Sequence, residues 1–99
     1  MLALERAQAV KRRGQELRAQ VRAAGPRGGY TRAADIVLDG ESSMRFFELI
    51  KSIPRVGDYT AKKLLSKAQI NPEARINAES VGERRRAALV AELLHRANR

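Results

Sequence analysis

Hydrophobic residues recur with helical spacing in five stretches of the chain. Ala3, Ala7, Val10, Gly14, Leu17 and Val21 fall at alternating four- and three-residue steps, which puts them on one stripe of a helix running to Ala24. That stripe is thin, since two members are alanine and one is glycine, so this helix buries little on its own. Gly25-Pro26-Arg27-Gly28-Gly29 reads as its end and as a flexible joint. Thr31 is placed to cap a short helix through Leu38, with Ala34, Val37 and Leu38 inward, and Asp39-Gly40 closes it. Ser42 or Ser43 then starts a helix that carries Phe46, Leu49, Ile50 and Ile53 on one face. Ala61, Leu64, Leu65 and Ala68 repeat at i, i+3, i+4 and i+7 in the next one. Asn71-Pro72 is a helix-start signal followed by a short piece, and Arg75-Ile76-Asn77-Ala78 reads as a turn. Ser80-Val81-Gly82-Glu83 matches a capping box that opens a last helix to about Ala97, with Ala87, Val90, Ala91 and Leu94 inward. The pattern predicts an all-α chain. Residues 1–24 form a basic helical arm, 25–30 a Gly/Pro linker and 31–99 a compact helical domain.

The centre of that domain is Phe47 to Ala68, two helices joined by Ile53-Pro54-Arg55-Val56-Gly57. Pro54 lacks an amide hydrogen and drives Ile53 out of helical geometry, so the first helix ends there. Gly57 lets a backbone or a ligand approach, and the helix behind it begins with unpaired amides and its positive dipole end. A phosphate suits that geometry, and Lys51, Arg55, Lys62, Lys63 and Lys67 surround it with cations. The plain alternative is that Pro-x-x-Gly is a turn and nothing more.

Charge changes the picture most. The 99 residues hold 20 Lys and Arg against 11 Asp and Glu, a net charge of +9. The excess sits in residues 1–32 and again in 51–68, with a net-acidic segment between them. A field distributed this way attracts a polyanion. Arg6, Lys11, Arg12, Arg13, Arg18 and Arg22 cover the outer faces of the first helix. Arg84, Arg85 and Arg86 occupy the first turns of the last helix, the unfavourable end for cations, which points to a functional reason or to simple solvation. A basic amphipathic helix on a membrane surface is a weaker reading, because the first helix offers no Trp, Phe or Ile to the bilayer. No apolar run is long enough to cross a bilayer, and nothing resembles a signal peptide.

Catalytic chemistry finds no candidates. Cysteine is absent, which removes disulfides, thiolate metal sites and a cysteine nucleophile, and agrees with a reducing cytoplasm. His95 stands alone near a helix C-terminus, where a role with the dipole is the simplest reading. There is no paired-carboxylate context, no metal-ligand spacing and no GxxxxGK[ST] loop. No cofactor is expected.

In their order, ALERAQAVKRRGQELRAQVRAAG at Ala3–Gly25, LIKSIPRVGDYTAKKLLSKAQI at Leu49–Ile70 and VGERRRAALVAEL at Val81–Leu93 resemble the actinobacterial type of integration host factor. The resemblance spans nearly the whole chain. It implies a helix–two-turn–helix domain with a helix-hairpin-helix-like turn, as in a small-subunit ribosomal protein and certain DNA glycosylases. It further implies a monomeric, non-enzymatic, cytoplasmic nucleoid protein that binds duplex DNA with little sequence preference. Such a protein bends or organises DNA and assists a phage integrase or other recombinase. Carried onto this sequence, the amides of Val56 and Gly57 would meet a phosphate, with Lys51, Arg55, Thr60, Lys62 and Lys63 around it. Arg12, Arg13 and Arg18 would join from the long helix, and Arg84 and Arg85 from the last, all positioning the protein without reading bases.

This sequence departs from the family pattern in three places. Asp58 stands where the family usually carries a lysine. The Arg75–Gly82 segment is about two residues longer and contains Glu79, and the usual extension before the basic helix is missing. These features suggest a divergent or element-borne paralogue. An RNA- or ribosome-associated protein and an adaptor that recruits a recombinase remain open alternatives. The amino-terminal proline or glutamate of the glycosylases is absent, since the chain starts Met1-Leu2-Ala3.

Overall fold

The computed structural model describes the backbone from Leu2 to Arg99 and side-chain surroundings from Arg13 onward. The expectations for Ala3, Ala7, Val10 and the Arg12 side chain lie outside the described residues. The architecture is all-α, with α1 Leu2–Ala23, α2 Gly25–Asp39, α3 Phe46–Lys51, α4 Asp58–Lys67 and α5 Glu83–Ala97. Among the described residues the one β-type pairing is an isolated antiparallel bridge between Arg45 and Arg75.

The expected linker is helix. Gly25, at φ +82°, turns the chain out of α1, and Pro26 occupies the first turn of α2, where a missing amide hydrogen costs nothing. Residues 25–30 therefore open α2, and Thr31 lies inside that helix instead of capping it. Gly29 is buried. A Cβ there would come within 3.1 Å of the Val21 carbonyl oxygen and 3.2 Å of both Ile53 Cγ2 and Pro54 Cδ. Its role is close packing: the bare backbone of α2 presses on α1 and on the hairpin together. Ala34 and Val37 face inward as expected, while Leu38 is exposed and Ile36 is buried in its stead. Gly40, at φ +66°, ends α2 with its amide donating to the Ile36 carbonyl.

The expected stripes Phe46/Leu49/Ile50/Ile53 and Ala61/Leu64/Leu65/Ala68 are buried throughout. Val21 closes the core from α1, and Leu17 packs at its edge. On α5 the buried face is Leu89, Val90 and Leu93; Ala87 and Ala91 are exposed and Leu94 lies at the rim. The larger leucines remove more apolar area from water than the alanines of the expected face. α2 packs most extensively on α5 and next on α1.

Three helix starts also differ from expectation. α3 begins at Phe46, after a non-helical Ser42–Arg45 segment in which the Ser42 hydroxyl accepts from the Met44 amide. That segment is strapped to 72–77 by Phe46 N–H to Ala74 O at 2.9 Å and Ile76 N–H to Met44 O at 2.8 Å. No helix follows Asn71-Pro72: the Asn71 side chain accepts from the Glu73 amide in a turn. α5 is capped by Gly82 without a side-chain bond, so Ser80 and Glu83 make no capping box.

Candidate nucleic-acid interface

The hairpin is a tight turn in which the Ile53 carbonyl accepts from the Val56 amide at 3.1 Å. Pro54 takes its second position and Arg55, at φ +69°, its third, the arrangement of a type II turn that usually places glycine there. Holding a non-glycine residue in that region costs about 1–3 kcal/mol, so the exposed Arg55 is presented at some expense of stability. The Val56 amide is thus consumed by the turn and its side chain is buried, which corrects its expected place at a phosphate. The next four amides, Gly57 to Thr60, have no acceptor among the described residues, and α4 has no side-chain cap. A Cβ on Gly57 would meet nothing within 4 Å, so the approach to these amides is open.

Asp58 occupies the first position of α4, and Lys51 Nζ lies 2.9 Å from its carboxylate. That hydrogen bond and the Lys51 charge hold the Asp58 carboxyl below its ordinary range against the opposing effect of desolvation, with the smallest contribution from the Lys62 charge. Phe47 sits beneath both lysines, with Lys51 Nζ 5.7 Å and Lys62 Nζ 6.0 Å from its ring centroid. Lys51 is therefore neutralised in place, while Lys62 stays at the mouth of the hairpin.

The outer face of α4 and the start of α5 form one surface. A shallow depression of about 460 Å³ is lined by Tyr59, Lys62, Lys63, Ser66 and Lys67. A second, of about 580 Å³, runs from Lys67 and Gln69 to Gly82, Arg84 and Arg85. Lys67 belongs to both, so the cations form a continuous band. Among the described residues Lys62, Lys63, Arg84 and Arg85 enter no ion pair, and Lys67 alone is paired, with Glu92 at 3.6 Å.

The described cations of α1 lie elsewhere. Arg13 lines depressions with Asp35, Asp39 and Glu41, in the acidic neighbourhood of α2. Arg18 is 3.9 Å from Glu48 and shares a separate depression with Arg22, Arg45 and Lys51, where Glu48 and Glu73 offset half of the positive charge. The structure thus joins Lys62, Lys63, Arg84 and Arg85, and does not bring Arg13 or Arg18 into that band. Lys67 links its two halves, and Tyr59 completes it, a residue to which the sequence pattern assigns no role. The spacing of Tyr59 from Lys62 and Lys63, outside the apolar stripe of α4, is the signal that places it there.

Arg86 differs from its two neighbours. Its Nε donates to the Val81 carbonyl at 2.9 Å and its Nη2 to the Ala78 carbonyl at 2.8 Å, with the guanidinium 5.6 Å from the Phe46 ring centroid. It pins the 75–82 segment onto α5 and the core. The charge at this helix start that invited a functional reading is, for Arg86, structural.

Among the described residues there is no group of three potential metal ligands and no helix long and apolar enough to cross a membrane. Compared with protein-family models, curated proteins and solved structures, the chain matches none.

Proposed function

We propose that this protein binds double-stranded DNA through its phosphates, with little sequence preference, and acts architecturally instead of catalytically. The observation that carries the reading is the band from Lys62 and Lys63 through Lys67 to Arg84 and Arg85, flanked by two helix starts without side-chain caps. Cations and open amides of this kind grip a phosphate backbone and leave bases unread. The resemblance to the actinobacterial integration host factors extends the proposal to a monomer in the nucleoid that bends or organises DNA and assists a recombinase. Of the contacts the resemblance implies, the proposal keeps Lys62, Lys63, Arg84 and Arg85 at its centre and leaves Arg13 and Arg18 aside.

The test is duplex binding measured across a salt series, with a structured RNA of equal length as competitor. Lys62→Glu/Lys63→Glu and Arg84→Glu/Arg85→Glu are expected to lower both affinity and salt dependence. The slope of log K against log salt should flatten by roughly 0.9 for each phosphate no longer neutralised. Arg13→Glu should matter least. Preference for the RNA would move the proposal to an RNA-associated role. Indifference to both paired variants would remove the nucleic-acid reading of this surface.

A further inference from the structure

We infer that Tyr59 is a stacking platform for an unpaired nucleobase, so that the protein prefers gapped or locally unpaired DNA to intact duplex. The inference rests on the nucleic-acid reading above and adds the feature of the polymer that this face selects.

Tyr59 is 78% exposed, whereas Phe46 is fully buried and Tyr30 and Phe47 are half-buried against the core. Its ring contributes nothing to the fold's interior. Tyr59, Lys62, Lys63, Ser66 and Lys67 stand at i, i+3, i+4, i+7 and i+8, one face of α4, opposite the buried Ala61, Leu64, Leu65 and Ala68. Together they line the 460 Å³ depression, and its lining is mostly apolar. No carboxylate lines it. A basic or neutral peptide gains little from three ammonium groups at its rim, but a nucleic-acid strand fits both parts. Phosphates lie on the lysines and a base lies on the ring.

An intact duplex satisfies only half of this arrangement. It offers phosphates everywhere but hides the faces of its bases in the stack. An unpaired base in a gap, flap or mismatch exposes its face at little unstacking cost. Tyr59 then adds contact that the intact duplex cannot supply, and stacking of this kind is tolerant of base identity.

The experiment compares an intact duplex with the same duplex carrying a short single-stranded gap that contains 2-aminopurine. Wild type, Tyr59→Ala and Tyr59→Phe are compared, with helix content checked for each. Wild type should bind the gapped duplex about five- to tenfold more tightly and quench the 2-aminopurine emission. Tyr59→Ala should lose most of that preference and the quenching, and Tyr59→Phe should retain both. Equal preference in wild type and Tyr59→Ala, or quenching that survives the alanine, would overturn the stacking role while leaving duplex binding in place. A wild-type protein that binds neither DNA would fail at the earlier step, the nucleic-acid reading itself. Concentration-dependent self-association that Tyr59→Ala abolishes, with DNA preference untouched, would seat a second copy on this face and also overturn the inference.

Discussion

Lys51 and Asp58 join the last residue of α3 to the first of α4, Nζ to Oδ1 at 2.9 Å, across the base of the Pro54–Gly57 turn. The pair bridges the two helices at the surface, with both side chains more than half exposed. It also places a negative charge beside the four open amides and withdraws one lysine from them. The hairpin is therefore less cationic than its composition suggests, and the working charge moves outward to Lys62, Lys63 and beyond.

Two measurements follow from this pair. The Asp58 carboxylate should titrate below the 3.8 of an ordinary aspartate, and Lys51→Ala should return it towards that value, as followed by NMR. Because the folded carboxyl is the stronger acid, the pair's contribution to stability is fully present above the ordinary aspartate range. It is lost as pH falls through the lowered value. Asp58→Asn should release Lys51 and remove the repulsion of phosphate. Duplex affinity is then expected to rise several-fold at low salt, with the salt slope steeper by up to about 0.9. An unchanged slope would mean that no phosphate approaches this end of α4.

Gly29 supplies a test of how the hairpin is seated. Gly29→Ala drives a Cβ against the Val21 carbonyl, which is backbone and cannot swing aside, and against Ile53 and Pro54. Overpacking of this kind costs about 1–3 kcal/mol, against roughly 0.5–1 kcal/mol gained by replacing a helical glycine. A lower melting temperature is expected. Gly14→Ala, where a Cβ meets nothing within 4 Å, should instead raise stability by about 1 kcal/mol, since only the helix-propensity gain remains. The opposite signs distinguish a packing glycine from a permissive one in thermal unfolding.

That contrast explains what the sequence could and could not reveal. The stripes of α3 and α4 were legible because Phe46, Leu49, Leu64 and Leu65 are large and regularly spaced. The glycines at 25–29 look the same whether they give flexibility or allow close approach. The deciding neighbours, Ile53 and Pro54, come from a distant part of the chain. On α5, two overlapping stripes share one period, and the packing against α2 and α4 selects the one that buries Leu89 and Leu93. The cations were visible as residues, but their partners were not. Glu48 beside Arg18 and the carboxylates around Arg13 are brought there by the fold.

Arg55 and Gln69 both hold positive φ without being glycine, and they separate strain from function. Gln69 follows α4 in a Schellman arrangement, with Ile70 N–H to Leu65 O at 2.9 Å and Gln69 N–H to Ser66 O at 3.0 Å. Substitution of either residue by glycine should stabilise the fold by about 1 kcal/mol, the strain relieved being partly offset by added freedom of the unfolded chain. Arg55→Gly should at the same time weaken duplex binding, because it removes an exposed cation beside the open amides. Gln69→Gly changes no charge and should leave the salt slope as it was. Denaturant melts and salt-dependent binding on the two variants provide the comparison.

The three arginines at the start of α5 should divide in the same way. Arg86 is half-buried and donates to the Val81 carbonyl, and to the Ala78 carbonyl that also accepts from the Val81 amide, so Arg86→Ala leaves the Val81 carbonyl without its donor and opens space over Phe46. Hydrogen bonds to a charged group are worth about 1.5–3 kcal/mol, and a loss of that order is expected in denaturant unfolding. Arg86→Lys should rescue it poorly, because a single ammonium cannot reproduce the fork that reaches Val81 and Ala78 together. Arg84→Ala and Arg85→Ala lie on the exposed face and should move stability by no more than about 0.5 kcal/mol. Their effect should appear in duplex affinity and its salt slope. If Arg86→Ala unfolded no more readily than the other two, the 75–82 segment would owe its position to the buried Ile76 and Val81 and to the backbone bonds of Ile76 and Asn77 to Met44 and Ser42.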